Sequence, residues 1–205
     1  HLYWDSYKVD FDEVIKRAID AGVSTIVNIG VDVETSRKAL AQTKNSLIYW
    51  PIGIHPHESF SEGDITELEK IYFSNPAKIV AVGECGLDFF STSEGPARSA
   101  DGSLNDSPGG FDSSEVFTQK KLFQAQIDLA KKLNLPLIVH CRESWDETLE
   151  MLGNQPVILH CYSGAPHNTQ YILHNTNYYV SFAANITYPK NEYLREAAKL
   201  LPLDR

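Results

Sequence analysis

The sequence predicts an α/β protein of the (β/α)8 TIM-barrel type, and three short stretches carry that prediction. Ile79-Val80-Ala81-Val82-Gly83-Glu84, Leu135-Pro136-Leu137-Ile138-Val139-His140 and Pro156-Val157-Ile158-Leu159-His160 each end an apolar run on a metal-capable side chain. Each run is short, rich in β-branched residues and flanked by helical periodicity, the pattern of a buried parallel strand. Strands closed into a barrel bring their C-terminal tips to one mouth, so a carboxylate and two imidazoles would converge there. Oxygen and nitrogen donors of this kind suit a hard or borderline divalent cation.

The remaining elements follow in order as repeated βα units. Residues 11–21 have helical periodicity, and Thr25-Ile26-Val27-Asn28-Ile29-Gly30 reads as a strand. Residues 34–42 are helical, 47–54 form a strand containing Trp50 and Pro51, and 65–73 form the helix before the Glu84 strand. A long helix over 116–133, with apolar positions at Phe123, Ile127 and Ala130, leads into the His140 strand. Helices at 145–152, 168–174 and 192–200 alternate with the His160 strand and with Tyr178-Tyr179-Val180-Ser181-Phe182. Taking Leu2 as the stub of a first strand gives seven βα units, so the expected barrel is truncated at its first strand and before its eighth. Residues 91–114 interrupt the repeat. They are rich in Ser, Gly, Asp and Pro with little to bury, and read as a flexible, solvated insertion in a single domain spanning 1–205, in preference to a lid.

Composition narrows the class. At 205 residues and 42% hydrophobic content, the chain can bury a sizeable core. It opens on His1, as a fragment or a processed chain would. No apolar run approaches a membrane span and no signal peptide is visible. Three cysteines, Cys85, Cys141 and Cys161, form no disulfide framework, which points to a reducing compartment and a cytoplasmic location. With 27 acidic against 18 basic residues, the net charge is −9, and no basic stripe is present. That argues against wrapping a long duplex. Nucleic acid, if bound, would be held locally, at an end or a single strand.

Four blocks sharpen the reading. Gly53-Ile54-His55-Pro56-His57, Gly83-Glu84-Cys85-Gly86-Leu87-Asp88, Val139-His140-Cys141-Arg142-Glu143 and Leu159-His160-Cys161-Tyr162-Ser163-Gly164 resemble the signature blocks of the TatD-type deoxyribonuclease family. These are metal-dependent hydrolases related to the amidohydrolases. The resemblance runs the length of the chain apart from the insertion. It implies phosphodiester hydrolysis of DNA with two divalent ions (Mg, Mn or Zn), water being activated and phosphate clamped between them. By the same resemblance Glu84 is the catalytic, metal-bridging carboxylate, and His1, His140 and His160 are further metal ligands. His1-Leu2 fits the second half of the family's first-strand H-x-H-L pattern. A general-base Asp is expected beyond Arg205, so this stretch is expected to be inactive by itself. No stable protein partner is expected.

Several assignments stay open on the residues alone. His55-Pro56-His57 is the one complete H-x-H, yet it follows a third strand, so His55 stands between a phosphate contact and a structural role, with His57 peripheral. Arg142 could grip a phosphate as a second substrate-binding residue, or pair with Glu143 or Asp146. Asp88 could support the metal site or cap the following turn. Strand alternation turns the three thiols away from the ligand face, into buried positions. Two rival functions are kept. A phosphotriesterase or lactonase of the amidohydrolase type is weakened by Glu84, where many such enzymes carry a carboxylated lysine. A catalytically inactive barrel would act as a binding module.

Overall fold

Parallel strands alternate with helices in the computed structural model, which describes residues 1–41, 46–90 and 113–205. Most of the expected insertion, residues 91–112, lies outside the described residues. The chain divides into two compact units, one comprising His1–Cys85 with Gln126–Ile138 and the other Gly86–Ala125 with Val139–Arg205. Hydrogen-bonded neighbours run in the order β1-β2-β3-β4-β5-β6. Each new strand is added at the same edge, which is the strand order of a (β/α)8 barrel.

The first unit opens on a 3-10 turn, η1 (Asp5–Tyr7), followed by α1 (Phe11–Asp20), β1 (Ile26–Val27), α2 (Val33–Ala41), β2 (Ile48–Ile52), α3 (Glu62–Ser74) and the start of β3 (Ile79–Asp88). The later half of α4 (Ser113–Leu133) and the first residues of β4 (Leu137–Arg142) complete it. β1 and β2 pair in parallel through Ile26↔Ile48 and Val27↔Tyr49. β2 and β3 pair through Trp50↔Ile79 and Ile52↔Val82, with a register shift at Trp50/Pro51. Pro51 has no N–H to give the ladder, which is the physical reason for a local irregularity there. Trp50, Ile52, Ile54, Leu68, Val82, Ile127 and Leu137 are fully or almost fully buried and form this unit's core. α3 begins at a capping box in which Ser61 and Asp64 satisfy each other's backbone N–H groups.

The second unit holds the end of β3, the first half of α4, most of β4, then α5 (Trp145–Met151), β5 (Val157–Leu159), α6 (Pro166–Asn175), β6 (Tyr179–Val180), the 3-10 turn η2 (Ala184–Thr187) and α7 (Glu192–Leu200). The Phe89 N–H donates to the Arg142 carbonyl at 2.9 Å, and the His160 N–H to the Val139 carbonyl at 2.8 Å. β5 and β6 are parallel, with Ile158↔Tyr179 and Leu159↔Val180. Pro166 pre-sets the first turn of α6. At the other end of that helix the Arg205 guanidinium donates to the carbonyls of Ile172, Leu173 and Tyr178, supplying partners that a helix terminus lacks.

Three expectations change. Residues 1–4 form a turn, not a strand stub, and the Leu2 N–H is taken by the Asn28 side chain at 2.7 Å in place of a neighbouring strand. The 3-10 turns η1 and η2 were not foreseen. Ser113 and Ser114, expected within the insertion, already belong to α4.

Candidate metal centre

Glu84 sits in the middle of β3, only 7% exposed, with Cys85 and Leu87 fully buried beside it. Two glycines explain how the strand fits there. Gly83 has φ +155°, and a Cβ on it would lie 2.5 Å from the Ile138 carbonyl oxygen. Gly86 has φ +138°, and a Cβ on it would lie 1.9 Å from the His140 carbonyl oxygen. Only a residue without a side chain permits backbone approach this close, in a conformation L side chains avoid. The Gly-Glu-Cys-Gly block is therefore a packing requirement of β3 against β4 as well as a chemical signature.

His55 lies three residues beyond β2. Its N–H donates to the Val31 carbonyl at 2.8 Å, and its Nδ1 accepts from the His57 N–H at 3.3 Å. The His55 and His57 rings meet edge to face, with centroids 4.8 Å apart, and His57 is exposed. The segment leading to His55 is fixed from α4. The fully buried Gln126 accepts from the Ile54 N–H at 2.8 Å and donates to its carbonyl at 2.9 Å. One side-chain amide thus satisfies both backbone groups of a buried residue past the strand's end.

His140 is held from β3. Its Nε2 lies 2.9 Å from Asp88 Oδ2, and the Asp88 side chain is 1% exposed. The other carboxylate oxygen accepts the Phe90 N–H at 3.0 Å, so Asp88 both orients the imidazole and closes the turn. Gln119 grips the Asp88 backbone as Gln126 grips Ile54, accepting from its N–H at 2.9 Å and donating to its carbonyl at 3.0 Å. Gln119 and Gln126 are seven residues apart on α4, two turns along one face. The Arg142 guanidinium carbon lies 3.7 Å from the centroid of the Phe90 ring. Arg142 forms no ion pair with Glu143 or Asp146.

His160 follows β5, and its Nδ1 lies 3.1 Å from Ser181 Oγ, which also accepts the Cys161 N–H at 3.3 Å. His1 is exposed, its Nδ1 donating to the Ile29 carbonyl at 2.7 Å while its ring stacks on Trp4 with centroids 4.8 Å apart. Cys85 and Cys141 are buried as expected. Burial pushes the Cys141 thiol up to about 11, and burial followed by the Glu84 charge pushes the Cys85 thiol higher still, so both stay protonated near neutral pH. Cys161 is only half-buried. It lies past the end of β5 with φ 49°, where strand alternation no longer governs side-chain direction.

Among the described residues of the first unit, His55 and Glu84 bring single ligand atoms within 4.8 Å of one another. A carboxylate with an imidazole fits a divalent ion by donor chemistry. The sequence matches the family described as TatD related DNase over residues 1–205. The chain belongs to the TatD-related DNase family. It is similar to the uncharacterized metal-dependent hydrolase YabD of Bacillus subtilis, with 31% identity over all of this chain and 74% of YabD. It is also similar to the 3'-5' ssDNA/RNA exonuclease TatD of Salmonella typhimurium, with 30% identity over 83% of this chain and 60% of that enzyme. The chain thus spans about three fifths of that relative's length. The crystal structure of the TatD homologue YjjV from Escherichia coli superposes with a TM-score of 0.79 at 26% identity, over 99% of this chain and 73% of that one.

This TatD-family chain carries supports that sequence reading missed. Gln119, Gln126 and Ser181 fix the residues around Asp88, Ile54 and His160. The available signal was amphipathicity: two glutamines on the otherwise apolar face of a long helix mark buried polar groups that require partners.

Proposed function

We propose that this protein is a divalent-metal-dependent deoxyribonuclease hydrolysing phosphodiester bonds at DNA ends or in single strands. The observation that carries the reading is Glu84, a carboxylate buried in β3 with a ligand atom within 4.8 Å of one on His55. The nuclease relatives support nucleic acid as the substrate. Glu84, His140, His160 and His1 would hold two ions, Mg, Mn or Zn. Bound there, divalent cations supply Lewis-acid polarisation of the phosphate and a lowered pKa for attacking water. Glu84 brings the bridging negative charge into a buried strand. Asp88 holds the His140 ring in one orientation and raises its basicity as a ligand. Ser181 orients His160. His55 and Arg142 are assigned to the phosphate of the substrate. Low basic charge leaves little to drive non-specific duplex binding, which favours local engagement of an end. No described helix is long and apolar enough to cross a membrane, and three cysteines that form no disulfide favour the reducing cytoplasm.

End-labelled single-stranded and duplex oligonucleotides, incubated with the full-length protein and each metal in turn, test the reading. Stepwise shortening that stops on chelation is expected, and Glu84→Gln should abolish it. Turnover of a phosphotriester or lactone with intact DNA would overturn it in favour of the amidohydrolase-type rival. DNA binding without hydrolysis under any metal would leave the binding-module function in its place.

A further inference from the structure

We propose that Phe90 and Arg142 form a stacking subsite for a nucleobase of the nucleic-acid substrate, beside His140. The proposal rests on the phosphodiesterase reading above and adds where the base is held. Phe90 lies two residues past the end of β3 and is 55% exposed, although Asp88 and Phe89 before it are buried. Single exposed apolar residues are ordinary on protein surfaces, so exposure alone carries nothing. The second observation is the guanidinium of Arg142, 3.7 Å over the ring, chosen in preference to the carboxylates of Glu143 and Asp146 nearby in sequence.

The pair is anchored on a rigid base. The Phe90 N–H donates to Asp88 Oδ1 at 3.0 Å, and the Phe89 N–H donates to the Arg142 carbonyl at 2.9 Å. Asp88 Oδ2 lies 2.9 Å from His140 Nε2, so one buried carboxylate fixes both the aromatic segment and the proposed metal ligand. Gln119 locks Asp88 in turn through both of its backbone groups. Arg142 and His140 are two residues apart in β4, on the same side of the strand and roughly 7 Å along it.

This arrangement has the chemistry of a base platform. An aromatic ring stacks on any base, contributing about 1–3 kcal/mol per base with little sequence preference. A planar guanidinium adds cation–π attraction and can hydrogen-bond a phosphate from its edge. A chain of net charge −9 gains little from phosphate contacts in general, so stacking is the available source of affinity for single strands.

The test compares kcat/KM on a short oligothymidylate and on its abasic counterpart, for wild type and Phe90→Ala. Wild type on the thymidylate should be about 5- to 150-fold faster than the other three combinations, which should match one another. Phe90→Trp should retain the preference, and Arg142→Lys, which keeps charge but loses the plane, should weaken it. If wild type cleaves both substrates equally, or Phe90→Ala loses the same factor on both, Phe90 holds no base and the subsite is wrong while the nuclease reading stands. If wild type cleaves neither, the nuclease reading itself has failed.

Discussion

His140 and His1 are both proposed to hold the same ions, yet the chain treats them in opposite ways. His140 emerges from a buried strand and is oriented by a carboxylate that is itself 1% exposed and clamped by Gln119. His1 is exposed, outside any strand, bonded to the Ile29 carbonyl and the Tyr3 hydroxyl and leaning on Trp4, which is 54% exposed. A ligand held by packed, hydrogen-bonded neighbours meets a cation with its orientation already set. One held at the surface must be ordered when the ion arrives, at the cost of rotamer entropy. Two histidines of equal coordinating chemistry therefore differ in preorganisation, and that difference can be measured.

The largest effect should come from breaking the packing around His140. Gly86→Ala places a methyl 1.9 Å from the His140 carbonyl oxygen at φ +138°. Neither backbone can yield cheaply, so stability should fall by about 3 kcal/mol or more. Gly153→Ala, in the same unit with nothing within 4 Å of the added carbon, should change stability by no more than about 0.5 kcal/mol. Urea unfolding of the two variants beside wild type makes the comparison. Equal midpoints would show that β3 and β4 do not approach as closely as described.

A smaller effect isolates orientation from packing. Asp88→Asn keeps the shape and one acceptor for the Phe90 N–H, but removes the charge facing His140 Nε2. Metal affinity should drop about 10- to 100-fold with the fold retained. Titration calorimetry with the divalent ion measures this without reference to turnover. An unchanged affinity would mean that Asp88 serves the turn alone.

The same contrast explains what was legible in the sequence. Helices and strands were readable because burial writes a period into the chain: residues 192–200 were predicted and α7 spans Glu192–Leu200. Glu84 and His140 were readable because polar residues there interrupt long apolar runs, but they do not end their strands, since β3 runs on to Asp88 and β4 to Arg142. The start of the chain was misread as a strand because two residues, His1-Leu2, carry no period, and because a side chain, Asn28, can take the place of a strand partner. His55 was seen, but not its approach to Glu84, since spacing along the sequence does not encode which segments meet. The roles of Gln119 and Gln126 could not be read in full for a similar reason, although their place on an apolar helix face marked them as buried polar groups. Their partners are backbone groups, and a backbone group leaves no letter in the sequence.

The smallest expected effect on stability decides the role of His1. His1→Ala in the full-length protein removes an exposed ring, its hydrogen bonds to the Ile29 carbonyl and the Tyr3 hydroxyl, and its ring contacts with Tyr3 and Trp4. Surface losses of this kind usually stay within about 0.5 kcal/mol, so the melting curve should scarcely move. The metal content is the informative readout. If His1 is a ligand, bound-metal stoichiometry or affinity should fall while stability in the metal-free state is kept. His57→Ala, which removes another exposed imidazole assigned no ligand role, is the control and should bind metal as wild type does. Loss of metal in His57→Ala with full retention in His1→Ala would move the ligand from the chain's first residue to the His55-Pro56-His57 segment. That result would leave the preorganised half of the site, around Asp88 and His140, unaltered.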